Sequence, residues 1–119
     1  MHKRIKSFGY AFQGLFTLLR EEPNARIHIL ALVVVIVAGA LFRVSATEWL
    51  VLILMCGVVI SLEILNSVVE RIADFVSPDR HPEIKKIKDL AAAGVLVAAI
   101  TSVAIGLIIF LPKLISVIS

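Results

Sequence analysis

The sequence predicts an all-α membrane protein: an N-terminal amphipathic surface helix followed by three transmembrane helices, all within one domain of residues 1–119. Three observations lead there. Hydrophobic residues make up 60% of the chain and charged residues 18%, against about 45–50% and about 25% in soluble domains. A soluble domain of 119 residues has too much surface per residue to hide that excess, so part of it must face lipid. Three apolar runs each reach the roughly 20 residues that cross a bilayer as a helix. Finally, the basic residues cluster in alternate connections, the distribution expected of a multi-pass protein. Disorder is excluded, because Val, Ile, Leu and Phe dominate.

Residues 2–20 form the surface element. Phe8, Phe12, Leu15, Phe16 and Leu19 recur every three or four positions, while Lys3, Arg4, Lys6 and Gln13 fall elsewhere on the wheel, as in a helix lying flat on a membrane. The first span covers residues 23–42, with Pro23 at the first turn and Arg26 and Arg43 bracketing the uncharged stretch. A cleaved secretory signal is the competing reading, since Val44-Ser45-Ala46 loosely resembles a cleavage site; the long basic region interrupted by acids argues against it. The second span covers residues 49–69, opens on Trp49 as an interface anchor and is uncharged except for Glu63. Cys56, the only cysteine, can form no intrachain disulfide and reads as inert packing. The third span covers residues 90–111, has no ionisable side chain and ends at Pro112.

Ten of the 12 Lys and Arg residues precede the uncharged stretch of the first span or lie between the second and third spans; only Arg43 and Lys113 lie on the other side. The positive-inside rule therefore places the N-terminus and segment 71–89 in the cytoplasm. The net charge of +3 needs no nucleic acid, because juxtamembrane basic residues also favour anionic lipid.

The polar residues of the second span carry the functional signal. A carboxylate inside a span costs on the order of 2.5–3.5 kcal/mol, so Glu63 needs compensation. At 100° per residue, Asn66, Ser67, Glu70 and Asp74 all fall within about 60° of it, one polar stripe climbing toward the cytoplasmic surface. A polar contact between helices, with Asn66 as glue, is the plain structural alternative. Glu22 and Arg26 sit where the surface helix meets the first span, at the depth of Glu70. Two carboxylates at one depth invite a cation, and Mg²⁺ takes one or two carboxylates with waters and substrate phosphates; a Glu22–Arg26 helix pair is the simpler alternative. Segment 71–89 adds Asp79, Arg80, His81, Lys85, Lys86, Lys88 and Asp89, of which Lys88 stands at the mouth of the third span, well placed for phosphate. The small residues from Ala91 to Gly94 allow close helix approach or room for a lipid headgroup. The pattern from Gly9 to Gly14 is followed by Leu15 instead of Lys and fails as a phosphate loop.

The run Glu63-Ile-Leu-Asn-Ser-Val-Val-Glu70-Arg-Ile-Ala-Asp74, followed by Lys88-Asp-Leu-Ala-Ala-Ala-Gly, resembles the signature of the small bacterial membrane lipid kinases, the diacylglycerol kinases and their undecaprenol kinase relatives. The segment Glu22-Pro-Asn24-Ala-Arg26-Ile-His28 is similar to the undecaprenol kinase branch, and the likeness extends over essentially the whole chain.

The resemblance implies a homotrimer with active sites at subunit interfaces, transferring the γ-phosphoryl of MgATP to a membrane lipid alcohol, undecaprenol by preference or diacylglycerol as the alternative. Carried over, Glu63 resembles the general base, and Glu22 and Glu70 the metal-binding carboxylates that also meet ATP. Tyr10, Asp79, Arg80, His81, Lys88 and Asp89 resemble nucleotide contacts. At the family's N-terminal basic contact stands Lys3, which lacks the bidentate fork of Arg. Asn66, Asn24, His28, Trp49 and Ala92 are the positions left to support the site or hold lipid. The implied location is the bacterial cytoplasmic membrane. Two readings compete from other classes. A small proton-coupled transporter would also use an intramembrane Glu, and a structural subunit would treat every polar group as packing.

Overall fold

The computed structural model describes residues 2–119. They form four helices: α1 (His2–Glu21), α2 (Pro23–Leu41), α3 (Ala46–Val76) and α4 (Pro82–Ile118). α2, α3 and α4 are each long and apolar enough to cross a membrane. The molecule measures 56 × 43 × 21 Å. Its smallest dimension is two helices thick, at about 10 Å per helix, so no helix is surrounded on all sides.

α3 is the axis of the fold. It packs most extensively along α4 and less along α2, while α1 rests chiefly on α2. The buried positions of α3 are Leu52, Val59, Glu63, Ser67 and Ala73. The first four recur at helical spacing on one face, so the polar stripe continues the apolar seam that holds the bundle together. At the other end Val44, Leu52 and Ile109 form the tightest apolar cluster, with Trp49, Val35 and Phe110 packed against it. Gly39 is required there: a Cβ would lie 2.6 Å from the Trp49 ring.

Short-range chemistry sets the helix ends. Pro23 occupies the first turn of α2, where the N–H it lacks would have no partner. After α2, Arg43 adopts a left-handed conformation (φ 53°) while the amides of Phe42 and Val44 return to the carbonyls of Ala38 and Gly39. α3 begins with a capping box. The Glu48 amide donates to Ser45 Oγ at 3.1 Å and the Ser45 amide to Glu48 Oε1 at 2.9 Å. His81 caps α4, its Nδ1 accepting from the Glu83 amide at 3.1 Å, with Pro82 in the first turn.

The helices outrun the apolar segments that announce them. At 1.5 Å per residue α3 and α4 are about 46 and 55 Å long, against about 30 Å of hydrocarbon. Most of segment 71–89 is therefore the protruding ends of two helices joined by a short turn. Pro112 does not end the third helix: α4 runs through it to Ile118. A proline inside a helix costs roughly 3 kcal/mol, and apolar Leu114 and Ile115 favour continuation beyond it. A cross-helix tie, Lys113 Nζ to Glu48 Oε2 at 3.1 Å, fixes the extra turn against α3.

Phe8, Phe12 and Phe16 of α1 are exposed, as are most apolar side chains of α2 and α4. One chain does not cover its own apolar surface. Lipid, or further copies of the chain, must do so.

Candidate active site

Glu63 is 3% exposed, and among the described residues it is the only charged side chain buried. Its Oε2 lies 3.4 Å from His28 Nε2 of α2. One turn further along α3, Asn66 Oδ1 and Ser67 Oγ are enclosed without hydrogen-bond partners. An enclosed polar oxygen left unpaired costs about 1–3 kcal/mol. Three polar groups on consecutive turns of one face thus include two unsatisfied oxygens, a pattern expected where a ligand completes the bonding. Glu70 and Asp74 continue the stripe into exposed positions.

Two ion-pair clusters frame the stripe. On one flank, Arg71 Nη2 reaches both Glu21 Oε1 and Glu22 Oε1 at 3.3 Å, tying the α1–α2 junction to α3. Glu22 is the residue before α2 but makes no capping bond, so its carboxylate is directed at Arg71. The expected Glu22–Arg26 helix pair is not among the ion pairs of the described residues. Arg71 adjoins Glu70, which sets Glu22 at the depth of Glu70, yet the two α3 residues point about 100° apart. Beside this tie, Ala11, Gly14, Leu18, Ile64, Ser67 and Val68 line a largely apolar recess of about 580 Å³ between α1 and α3.

On the other flank Lys88 of α4 is paired with Asp74 of α3. Asp79, Arg80, His81 and Lys88 line one open cleft of about 660 Å³ together with Asp74 and Lys85. Four of the expected nucleotide contacts therefore converge at the α3–α4 turn. Asp89 is occupied by Lys85 at 2.7 Å. Lys3 and Tyr10 lie exposed on α1, outside that cleft, and Asn24 and Ala92 are exposed on α2 and α4. Trp49 packs on Gly39, 14 residues or about 21 Å up α3 from Glu63, so its place here is in the apolar cluster.

Among the described residues no three His, Cys, Asp or Glu side chains converge on one point. The available oxygens still suit a hard cation: the unpartnered Asn66 Oδ1 and the carboxylates of Glu70 and Glu22 are donors of the type Mg²⁺ takes, with waters and phosphates completing the shell.

Sequence reasoning missed the Arg71 bridge, which depends on how α1 folds back and has no local signature. It also missed the Lys113–Glu48 tie. The Ser45-x-x-Glu48 capping box was readable as a motif and places the start of α3 three residues before Trp49.

Comparison with known proteins bears on this geometry. Residues 9–110 match the family described as prokaryotic diacylglycerol kinase. The undecaprenol kinase of Bacillus subtilis (strain 168) is 40% identical over 96% of this chain and 93% of its own length. The diacylglycerol kinase of Synechocystis is 38% identical over 94% of this chain, which spans 65% of that protein. The diacylglycerol kinase of Pseudomonas aeruginosa is 37% identical over 81% of this chain and 79% of its own length.

Proposed function

The chain belongs to the prokaryotic diacylglycerol kinase family and is a lipid kinase, and from that premise we propose that it transfers the γ-phosphoryl group of MgATP to undecaprenol. Undecaprenol is favoured as acceptor because the relative matching over almost its full length carries that activity in its name. The observation that carries the reading is Glu63, a buried carboxylate in a membrane-spanning helix that has no other charge from residue 49 to residue 69.

In this reading Glu63 accepts the hydroxyl proton as the lipid oxygen attacks the γ-phosphorus, and the bond to the β,γ-bridging oxygen breaks with its electrons leaving on ADP. The cleft lined by Asp79, Arg80, His81 and Lys88 receives the nucleotide, with Lys88 turned from Asp74 to phosphate. The remaining nucleotide contacts are Asp89, released from Lys85, and Lys3 and Tyr10, which stand outside this cleft in one chain and reach it from a neighbouring copy. Glu22 and Glu70, with Asn66 beside them, would hold Mg²⁺, which supplies charge neutralisation on the phosphate oxygens. Asn24, His28 and Ala92 border the lipid path.

The proposed assembly is a homotrimer with shared sites. Within one chain Glu22 is engaged by Arg71, on a different side of α3 from Glu70, so a cation between two such carboxylates is most simply built by Glu22 and Glu70 of neighbouring copies. The uncovered apolar faces provide the surface for such contacts. The proposed location is the bacterial cytoplasmic membrane with the N-terminus inside, on the distribution of Lys and Arg.

The test is transfer of radiolabel from [γ-³²P]ATP with Mg²⁺ to undecaprenol and to diacylglycerol, each in nanodiscs. Faster labelling of undecaprenol is expected. Faster labelling of diacylglycerol overturns the acceptor assignment, and labelling of neither overturns both.

A further inference from the structure

Protonation of Glu63 at every turnover leaves an enclosed neutral acid that must shed its proton before the next cycle. Its side chain keeps 4% of its surface, too little to meet bulk water directly. Among the described residues the one ionisable partner within reach is His28, whose Nε2 is 3.4 Å from Glu63 Oε2 and whose side chain keeps 22% of its surface. Among the described residues neither group has another ionic partner. His28 lies on α2, across the helix interface, so the contact depends on the fold and not on neighbouring positions in sequence.

We propose that His28 is the exit for the substrate proton: a positioning and relay residue that acts through Glu63 without touching ATP. The inference rests on Glu63 being the base. In the resting enzyme, His28 turns its Nε2–H toward the Glu63 carboxylate. The lipid hydroxyl gives its proton to Glu63 as the new O–P bond forms and the bond to ADP breaks. A shift of the imidazole proton from Nε2 to Nδ1 then leaves Nε2 free to take the proton of the carboxylic acid, and the imidazolium releases the Nδ1 proton toward the start of α2, where Pro23 stands five residues or about 7 Å away, which restores Nε2–H facing the carboxylate. One proton enters from the alcohol and one leaves to solvent, so the cycle balances with no other reactant. Imidazole suits the task because both nitrogens exchange protons near neutral pH. An amide at the same place could orient Glu63 but could not carry a proton.

The experiment compares wild type, His28→Ala, His28→Gln and Glu63→Gln in nanodiscs, measuring kcat, the KM for MgATP and the response to added imidazole. His28→Ala is expected to lose about tenfold or more in kcat with the KM for MgATP within about twofold. Imidazole at tens of millimolar should restore a substantial part of that loss, whereas sodium chloride at equal ionic strength should not. His28→Gln, near in size and able to hold the carboxylate, should remain as slow as His28→Ala. Wild-type kcat in His28→Gln, or failure of imidazole to rescue a His28→Ala protein that melts like wild type, overturns the relay. An active Glu63→Gln overturns instead the reading beneath it; an inactive Glu63→Gln beside an unimpaired His28→Ala refutes the relay alone.

Discussion

The two ends of the α3 helix face opposite demands, and they meet them differently. Near Trp49 the buried face is apolar and closed: Leu52 is 1% exposed, Gly39 lets the indole pack against backbone, Phe42 meets Phe110 at a tilt of 60° with ring centroids 5.9 Å apart, and Glu48 both caps α3 and pairs with Lys113. From Glu63 onward the same face carries a buried acid, two enclosed oxygens without partners and a widening cleft. One end is built to stay shut and the other retains unsatisfied groups at a cost in stability, as functional sites do. Stability and activity should therefore respond to substitutions at opposite ends of one helix.

The largest separation is expected at Glu70. Glu70→Gln should reduce turnover by about 100-fold or more and weaken dependence on Mg²⁺, while leaving the unfolding temperature within error of wild type; unchanged Mg²⁺ titration of activity would break the contrast. At the closed end, Leu52→Ala should lower stability by about 2 kcal/mol through lost packing, with kcat per folded molecule unchanged in detergent unfolding and activity assays run together. Gly39→Ala, which drives a methyl group into the Trp49 ring, should cost about 1–3 kcal/mol by the same readout. Removing the Arg71 bridge is a smaller change, because Arg71 and Glu21 are about half exposed and Glu22 is only partly buried. Arg71→Ala should alter global stability by less than about 1 kcal/mol but increase proteolytic cleavage near residues 20–23, where α1 loses its tie to α3.

Much of the architecture was legible in the sequence because membrane spans obey a length rule and a charge rule that need no tertiary information. The stripe from Glu63 to Asp74 was legible for the same reason: an acid is conspicuous only where its surroundings are apolar. What lay beyond reach were contacts between distant elements. The ties of Arg71 to Glu21 and Glu22, of His28 to Glu63 and of Lys113 to Glu48 join residues separated by 35 to 65 positions, and nothing local marks one partner for the other. Helix ends were misjudged where apolarity was used as a proxy for helicity. α3 and α4 continue past their first charges because exposed helical turns tolerate charge, and α4 continues past Pro112 into a turn that Lys113 ties to Glu48 of α3.

The central claim, that a buried carboxylate takes the proton of a lipid alcohol, is tested most directly by Glu63→Gln assayed for both label transfer to undecaprenol and MgATP binding. The account predicts transfer reduced by about 10²-fold or more, nucleotide affinity within about threefold of wild type, and an unfolding temperature no lower than wild type, since a neutral amide is easier to bury than a carboxylate. Transfer at near wild-type rate in that variant would contradict it.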